Sequence, residues 1–319
     1  MLTTLLYCFN AVAPVFVMIA LGRLLATKGG LTEEFFAKIN RLVYLFLIPA
    51  VLFEGVYEAD LYSCFDGKLI LFLCCGAVIL FLICSVIAAK LYPDRAIAGS
   101  FLQGCCKSNY NLLAIPILGN LLSEAGMGSI MMAAPFLAFL YNLLGVLAFY
   151  RFGHGKNGKT GLRRVGQILW GVVKNPAILG VLLALPFPLL RIRLPLLLER
   201  SISYIADMGT PVALVCIGAL LNLEKLRRCW KPALLSAVIK VVISTVAAVA
   251  LAVVLGFRGH ALAIITVTFA APSAANSHAT AQELGGDGDT AAGNVLLTTV
   301  LALFVIVIFM TVLLQTGLV

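Results

Sequence analysis

Ten apolar stretches, each long enough to cross a lipid bilayer, follow one another along the chain. A helix needs about 20 apolar residues to cross the hydrocarbon core. The stretches fall at roughly 4–25, 36–56, 67–90, 96–120, 127–150, 174–190, 197–222, 231–255, 260–283 and 290–316. Only 12% of the residues are charged and 62% are hydrophobic, so the polar side chains are too few to cover a water-soluble globule. The sequence therefore predicts an all-α polytopic membrane protein with ten transmembrane helices.

The distribution of basic residues predicts how these spans are oriented. Sixteen Lys and Arg residues lie in the loops after odd-numbered spans, and five lie in the loops after even-numbered spans. Because cytoplasmic loops carry the excess of basic residues, we expect the odd-numbered loops in the cytoplasm and both termini outside a cell (inner) membrane. The net charge of +9 follows from the same bias, so no nucleic-acid partner is expected.

Prolines in the first half of the chain recur in the second half. Three pairs lie 162, 162 and 156 residues apart: Pro14 and Pro176, Pro49 and Pro211, and Pro116 and Pro272. Since five is an odd number, a second copy of a five-span unit enters the membrane in the opposite orientation, as in many secondary transporters. Chance is the alternative, because membrane helices tolerate proline. The pattern favours two inverted five-helix repeats at 1–152 and 174–319, with a cytoplasmic linker and surface helix at 153–173.

Predicted spans 4 and 9 are the most polar of the ten, and each contains one of the paired prolines. Span 4 reads GCCKSNYNLLAIPILGN, and span 9 reads TFAAPSAANSHATAQELGGD. Proline removes a helical hydrogen bond, and freed backbone groups are tolerated in a bilayer only where they face protein or a wet cavity. We therefore predict helix breaks at Pro116 and Pro272 that meet at one central binding site. The alternative is that these Asn and Ser residues only hold helices together.

Ionisable and polar residues inside the spans are candidates for function. Lys107 could neutralise a bound carboxylate or pair with an acid elsewhere, whereas Lys240 could extend its ammonium group to the cytoplasmic face. Asp207, His278 and Gln103 are candidates for coupling transport to a proton or a sodium ion. Asp207 could equally cap a broken helix, and His278 could serve in helix packing.

Enzymatic and metal functions are not indicated. The nine cysteines show no CxxC spacing, which predicts neither a zinc site nor disulfides. Residues 286–289 read GDGD and fit the pattern of intramembrane aspartyl proteases, but they are better interpreted as a turn between spans. The P-loop, HExxH and GxSxG patterns are missing from the sequence. We expect no enzyme, no cofactor and no metal.

Four sequence motifs together resemble the auxin efflux carrier family, which includes bacterial malonate-type permeases and plant PIN-formed carriers. They are KSNYNLLAIPIL, NPAILG, TPVALVCIGALL, and APSAANSHATAQELGGD followed by NVLLTTVLA. The resemblance covers essentially the whole chain. It implies that spans 4 and 9 are broken and cross near the membrane centre. It also implies a scaffold part of spans 1, 2, 6 and 7, and a transport part of spans 3–5 and 8–10 that moves like an elevator.

The resemblance further implies small organic anions as substrates, either auxin-like or malonate-like carboxylates, and it suggests a homodimer. Asn109 matches the family's crossover asparagine, Asn276 matches the polar residue after the span-9 proline, and Asn142 matches a position that faces the site. Lys107 stands where the family often has Arg, and a lysine lacks the bidentate guanidinium fork. The predicted substrate-binding residues are Asn109, Asn276, Lys107, Asn142, Ser273 and Tyr141. A ligand-binding sensor that kept the transporter fold and a channel are the alternative functions.

Overall fold

The chain is almost entirely helical. The computed structural model describes residues 2–58, 66–122, 124–152, 176–219, 223–274 and 277–319, and within these ranges it contains no β-strand. The helices are α1 (Leu2–Lys28), α2 (33–58), α3 (Gly67–Leu91), α4 (Arg95–Cys106), α5 (110–119), α6 (Glu124–Arg151), α7 (Pro176–Ala184), α8 (Pro186–Leu190), α9 (Leu196–Ala219), α10 (223–254), α11 (Gly259–Ala270), α12 (Ser277–Leu284) and α13 (Gly288–Gln315). The predicted linker at 153–173 lies outside the described residues.

Seven helical segments in the described ranges are long and apolar enough to cross a membrane. They are Thr4–Lys28, Glu34–Glu58, Gly67–Leu91, Gly126–Arg151, Leu196–Ala219, Cys229–Val254 and Gly288–Gln315. They correspond to predicted spans 1, 2, 3, 5, 7, 8 and 10. The other three predicted spans contain shorter helices, namely α4 and α5 in span 4, α7 and α8 in span 6, and α11 and α12 in span 9. The coarse prediction of a multi-pass helical membrane protein is confirmed.

Several helices begin at short polar side chains that cap their first turn. The Asp66 carboxylate accepts a hydrogen bond from the Leu69 backbone N–H at 3.0 Å, at the start of α3. At the start of α13, the Asp287 carboxylate accepts from the Thr290 N–H at 2.8 Å. A capping carboxylate satisfies a backbone donor that has no partner within the helix. Asp287, which belongs to the GDGD sequence, is therefore occupied in starting a helix.

Three helices contain a widened π-helical turn, at Val43–Leu47 in α2, Tyr110–Ala114 in α5 and Val238–Ile243 in α10. The turn in α5 comes directly before Pro116, which lies near the start of an α-helical turn at Ile115–Gly119. Because the proline ring displaces the carbonyl four residues earlier, a wider turn can accommodate the ring without ending the helix. The non-helical residues of predicted span 4 accordingly lie at 107–109, before Pro116, and not at the proline itself.

The helices pack most extensively in two sets. In the first set α1 lies along α9, and α2 contacts both α7 and α9. Glycine allows the close approach of α1 and α9, since a Cβ atom at Gly22 would overlap the Val215 carbonyl and one at Gly218 would overlap the Ile19 carbonyl. In the second set α3 packs on α4 and α6, and α13 packs on α10 and α4. The two sets touch mainly where α1 meets α13 and where α2 and α7 meet α6.

Candidate functional site

Two helical interruptions meet inside the second set of helices. Helix α4 ends at Cys106 and helical structure resumes at Tyr110, while α11 ends at Ala270 and α12 begins at Ser277. The two non-helical segments run antiparallel, with an isolated β-bridge between Ser108 and Ser273. The Asn109 N–H donates to the Pro272 carbonyl at 2.7 Å. Backbone groups released by one interruption are thus partly satisfied by the other. We call residues 107–109 and 271–274 the crossing.

Ser273 is fully engaged in holding the crossing together. Its hydroxyl donates to the Gly104 carbonyl at 2.6 Å, and its N–H donates to the Thr298 hydroxyl at 3.0 Å. The Thr298 hydroxyl in turn donates to the Asn294 carbonyl at 2.5 Å. Ser273 is completely buried. It therefore anchors the second segment to α4 and α13, although the sequence suggested a substrate-binding role.

Asn294 of α13 locks the other side of α4, and sequence reasoning missed it. Its amide nitrogen donates to the Ser100 carbonyl at 2.9 Å, and its amide oxygen accepts from the Ser236 hydroxyl at 2.5 Å. A Cβ atom at Gly104 would overlap the Asn294 amide, so only glycine permits this approach. An asparagine inside the apolar span 10 was the signal that could have identified this residue.

Lys107 is a buried cation at the start of the crossing, with 5% of its surface exposed. Its Nζ donates to the Thr280 hydroxyl at 3.4 Å, and its stem lies 2.9 Å from where a Cβ atom on Gly145 would stand. Among the described side chains, the Cys106 thiol acts electrostatically on Lys107, and no carboxylate does so. Lys107 therefore has no carboxylate partner among the described residues.

The neighbours of Lys107 in the crossing keep polar groups available. The Ser108 hydroxyl is buried and has no hydrogen-bond partner among the described residues. The Tyr141 side chain interacts with that of Ser108. Asn109 is 6% exposed, and no described residue hydrogen-bonds its side-chain amide. Asn109, Ser108 and Tyr141 thus lie together with Lys107 and can offer donors to a guest.

Lys240 does not extend toward the cytoplasmic face as the sequence suggested. Only 1% of its surface is exposed, and its Nζ lies 5.8 Å from the centre of the Tyr141 ring. It occupies the π-helical turn of α10. The aromatic face offers partial negative charge to the ammonium group. Lys240 is consequently a second buried cation beside Tyr141.

Among three further candidates, Gln103 is the one whose side-chain polar atoms are both buried without a partner among the described residues. Gln103, one turn before Lys107 on α4, is completely buried, and both its side-chain polar atoms have no partner among the described residues. The Asn142 amide donates to the Ala138 carbonyl of its own helix at 2.8 Å. The His278 ring lies 2.8 Å from the Gly288 carbonyl, between α12 and α13.

Of the remaining two candidates, Asp207 lies away from the crossing, and Asn276 is not among the described residues. Asp207 is an exposed residue of α9, in the first set of helices. It interacts electrostatically with Glu58, the last residue of α2. Asn276 lies outside the described residues. Of the two asparagines that the family resemblance implies in spans 4 and 9, the structure therefore describes Asn109 alone.

The crossing is suited to an anion by its charge and its backbone. The helical run of α5 begins at Tyr110 directly after it, and helix N-termini favour negative charge. Lys107 adds a buried positive charge without a described carboxylate partner. The described residues do not indicate a metal site, since they contain no group of three His, Cys, Asp or Glu side chains that could hold a metal ion.

A separate cavity of about 680 Å³ lies between α2, α3, α6 and α7, where the two sets of helices meet. Its lining is apolar and includes Val56, Met131 and Phe136. None of the crossing residues lines it. The cavity is therefore an apolar space between the two sets of helices, and it is separate from the polar groups of the crossing.

Comparison with known proteins gives a consistent result. A family model described as a membrane transport protein matches residues 7–310. A relative from Methanothermobacter thermautotrophicus, named as an uncharacterized transporter, is 25% identical over 296 residues. That match covers 92% of this chain and 94% of the relative.

Proposed function

Because the chain belongs to the membrane transport protein family, the family of the auxin efflux carriers, we propose that it carries a small organic anion across a cell membrane. It is a multi-pass membrane transporter and not an enzyme. The proposed substrate is a carboxylate, either auxin-like or malonate-like. Transport would be secondary active, coupled to a proton or a sodium ion, or facilitative, and it needs no cofactor.

The observation that carries this proposal is the crossing with its buried cation. Ser108 pairs with Ser273 through an antiparallel bridge, and Lys107 lies buried beside them without a described carboxylate. A buried, unpaired charge is strongly unfavourable, so the arrangement is best explained if a guest supplies the negative charge. A carboxylate bound here would meet the ammonium group of Lys107, the Ser108 hydroxyl and the Asn109 amide.

The wider architecture is proposed on the same footing. The chain would form ten transmembrane helices in two inverted five-helix repeats, with spans 4 and 9 broken and both termini outside the inner membrane. Predicted spans 1, 2, 6 and 7 would form a scaffold, and spans 3–5 and 8–10 would form the moving transport part. The contacts of α1 with α9, and of α2 with α7 and α9, support this division. Because apolar side chains line the cavity between α2 and α6, the moving part would have few polar contacts to break there.

Elevator-type movement would carry the crossing from one side of the membrane to the other. The crossing lies among α4, α11 and α13, all in the proposed transport part, so its residues would move together. A homodimer formed through the scaffold would hold the fixed part in the bilayer. Gln103 and His278 lie within the transport part and Asp207 lies within the scaffold. For the coupling ion, this favours the first two over Asp207.

Reconstitution in proteoliposomes tests the proposal. Uptake of radiolabelled carboxylates is measured for the unaltered protein and for Asn109→Ala and Asn276→Ala, with Asn40→Ala on α2 as a control. We expect both substitutions to abolish uptake while the control transports normally. Normal transport by both asparagine variants would contradict the site. Ligand binding without flux would instead favour a sensor that retains the fold.

A further inference from the structure

The two buried lysines approach the same face of α6. Lys107 packs against Gly145, and Lys240 lies over the ring of Tyr141. Tyr141 and Gly145 are four residues apart, so they lie on one face about 6 Å apart along the helix axis. Both ammonium groups also act electrostatically on the same buried thiol, that of Cys106. The two lysines, one directly after α4 and one in α10, therefore lie at neighbouring positions on one face of α6.

The described surroundings of the pair offer no negative charge. The ionisable groups near Lys240 are the thiols of Cys84, Cys105 and Cys106 and the Tyr141 phenol. Near Lys107, α12 contributes the Thr280 hydroxyl, and its described ionisable side chain is His278, which contacts Gly288. The acid that α13 carries, Asp289, lies in its first turn. Two positive charges thus share one buried region without a described carboxylate.

An independent feature distinguishes Lys240 from an ordinary packed residue. It lies in the π-helical turn Val238–Ile243, and its carbonyl accepts a hydrogen bond from the Ser244 hydroxyl. Such turns interrupt regular helical bonding and occur often at functional sites. Here the turn places a long cationic side chain in the protein interior, where it is removed from water. The position is unfavourable unless something compensates the charge.

We propose that Lys240 is a second anion-binding residue of the crossing and that, with Lys107, it selects a substrate with two negative charges. The inference rests on the proposed transport of an organic anion and specifies its charge. One anionic group would lie at Lys107 and Ser108, and the other would lie toward Lys240 and Tyr141. Two cations compensated by one dianion leave the buried region neutral, whereas a monoanion leaves one ammonium group uncompensated.

The test uses matched ligands that differ in one charge. The purified protein is titrated calorimetrically with malonate, succinate and glutarate and with the monoamide of each, at a pH of about 7, where the carboxylates are ionised. We expect at least one dicarboxylate to bind about tenfold or more tightly than its monoamide, because removing one of two close charge partners has an effect of this size. In Lys240→Gln, we expect this affinity ratio to fall about tenfold, and in Lys240→Arg we expect it to be largely retained.

Lys231→Gln is the matched control. Lys231 belongs to the same helix and also lies 5.8 Å from an aromatic ring, that of Trp230, but it is exposed. We expect its affinity ratio to be unchanged. Gel filtration and thermal unfolding in detergent check that each variant is folded, and the neutral variant Lys240→Met takes the place of Lys240→Gln if that variant fails to fold.

Several results would overturn the inference. They are equal affinity for the two ligands of every pair, no binding of any dicarboxylate, and an unchanged ratio in folded Lys240→Gln. Transport of monocarboxylates alone would reject the charge selectivity while the proposed function stands. Failure of every organic anion to be transported by the unaltered protein would reject the proposed function itself.

Discussion

Ser108 and Ser273 face each other across the crossing, yet the structure uses their side chains differently. Ser273 donates its hydroxyl to the Gly104 carbonyl and its N–H to the Thr298 hydroxyl. Ser108 is also buried, but its hydroxyl has no partner among the described residues. The first segment also contains the cation Lys107, whereas the described residues of the second segment are uncharged.

The difference separates two tasks within one crossing. Residues 271–274 are fixed to α4 and α13 by hydrogen bonds, so they serve as a rigid support. Residues 107–109 keep a cation and polar side chains available, so they are suited to bind a guest. Two segments with similar backbone geometry are therefore not equivalent in chemistry. Substitutions on the two sides should have different effects on transport and on stability.

The largest effect is expected on the binding side. We predict that Lys107→Gln lowers the rate of anion uptake about a hundredfold, because the guest loses its described cationic contact in the crossing. The measurement is uptake into proteoliposomes. Lys90→Gln, at the exposed end of α3, is the control and should transport normally. Lys107→Gln with more than about half of the normal rate would show that the cation does not take part in binding.

On the supporting side, we expect the main effect of a substitution to be a loss of stability. Gly104→Ala would force a Cβ atom against the Asn294 amide, which is held by Ser100 and Ser236. We predict a loss of about 1–3 kcal/mol in unfolding free energy, as for other overpacked interiors. Gly119→Ala is the control, since its Cβ atom would lie 3.6 Å from the flexible Met127 side chain. Equal stability of the two variants would mean that α4 and α13 are not closely locked.

The serine pair itself gives the most direct comparison. We predict that Ser273→Ala lowers the unfolding free energy by about 1–2 kcal/mol, because a buried hydrogen bond to Gly104 is lost. Ser108→Ala should change stability by less than about 0.5 kcal/mol but weaken anion binding a few-fold. The unfolding free energy and the strength of anion binding are both measured by thermal unfolding with and without the transported anion. If the two substitutions exchanged their effects, the assignment of support and binding sides would be reversed.

The smallest effect is expected at Asn142. Its amide is occupied by the Ala138 carbonyl of its own helix, so Asn142→Ala should change uptake by less than about twofold. The uptake rate is compared with that of Asn109→Ala, because the Asn109 amide has no hydrogen-bond partner among the described residues. A loss at Asn142 as large as that at Asn109 would indicate that its amide turns into the site during transport.

The sequence predicted well what depends on hydropathy and on local composition. A helical multi-pass membrane protein follows from the length of the apolar stretches. The polar character of spans 4 and 9 singled out Lys107, Asn109 and Ser273, which lie at the crossing and whose role in binding stays a prediction. These features are visible along the chain because each concerns one segment at a time. The family follows from motifs spread over almost the whole chain.

Features that depend on contacts between distant segments could not be predicted. Proline signals a disturbed helix, but a widened turn accommodates Pro116, so the interruption lies before it. The burial of Lys240 depends on Tyr141, almost a hundred residues away in the chain. Asn294 acts through Ser100 and Ser236, and periodicity within span 10 does not indicate which helices it will meet.

An experimental density map of the protein saturated with its transported anion would test the central claim most directly. We predict density for the anion at the crossing, with one oxygen atom within about 3 Å of Lys107 Nζ and hydrogen-bonded to Ser108 or Asn109. Density for the anion elsewhere, such as in the apolar cavity between α2 and α6, with an empty crossing would contradict the account.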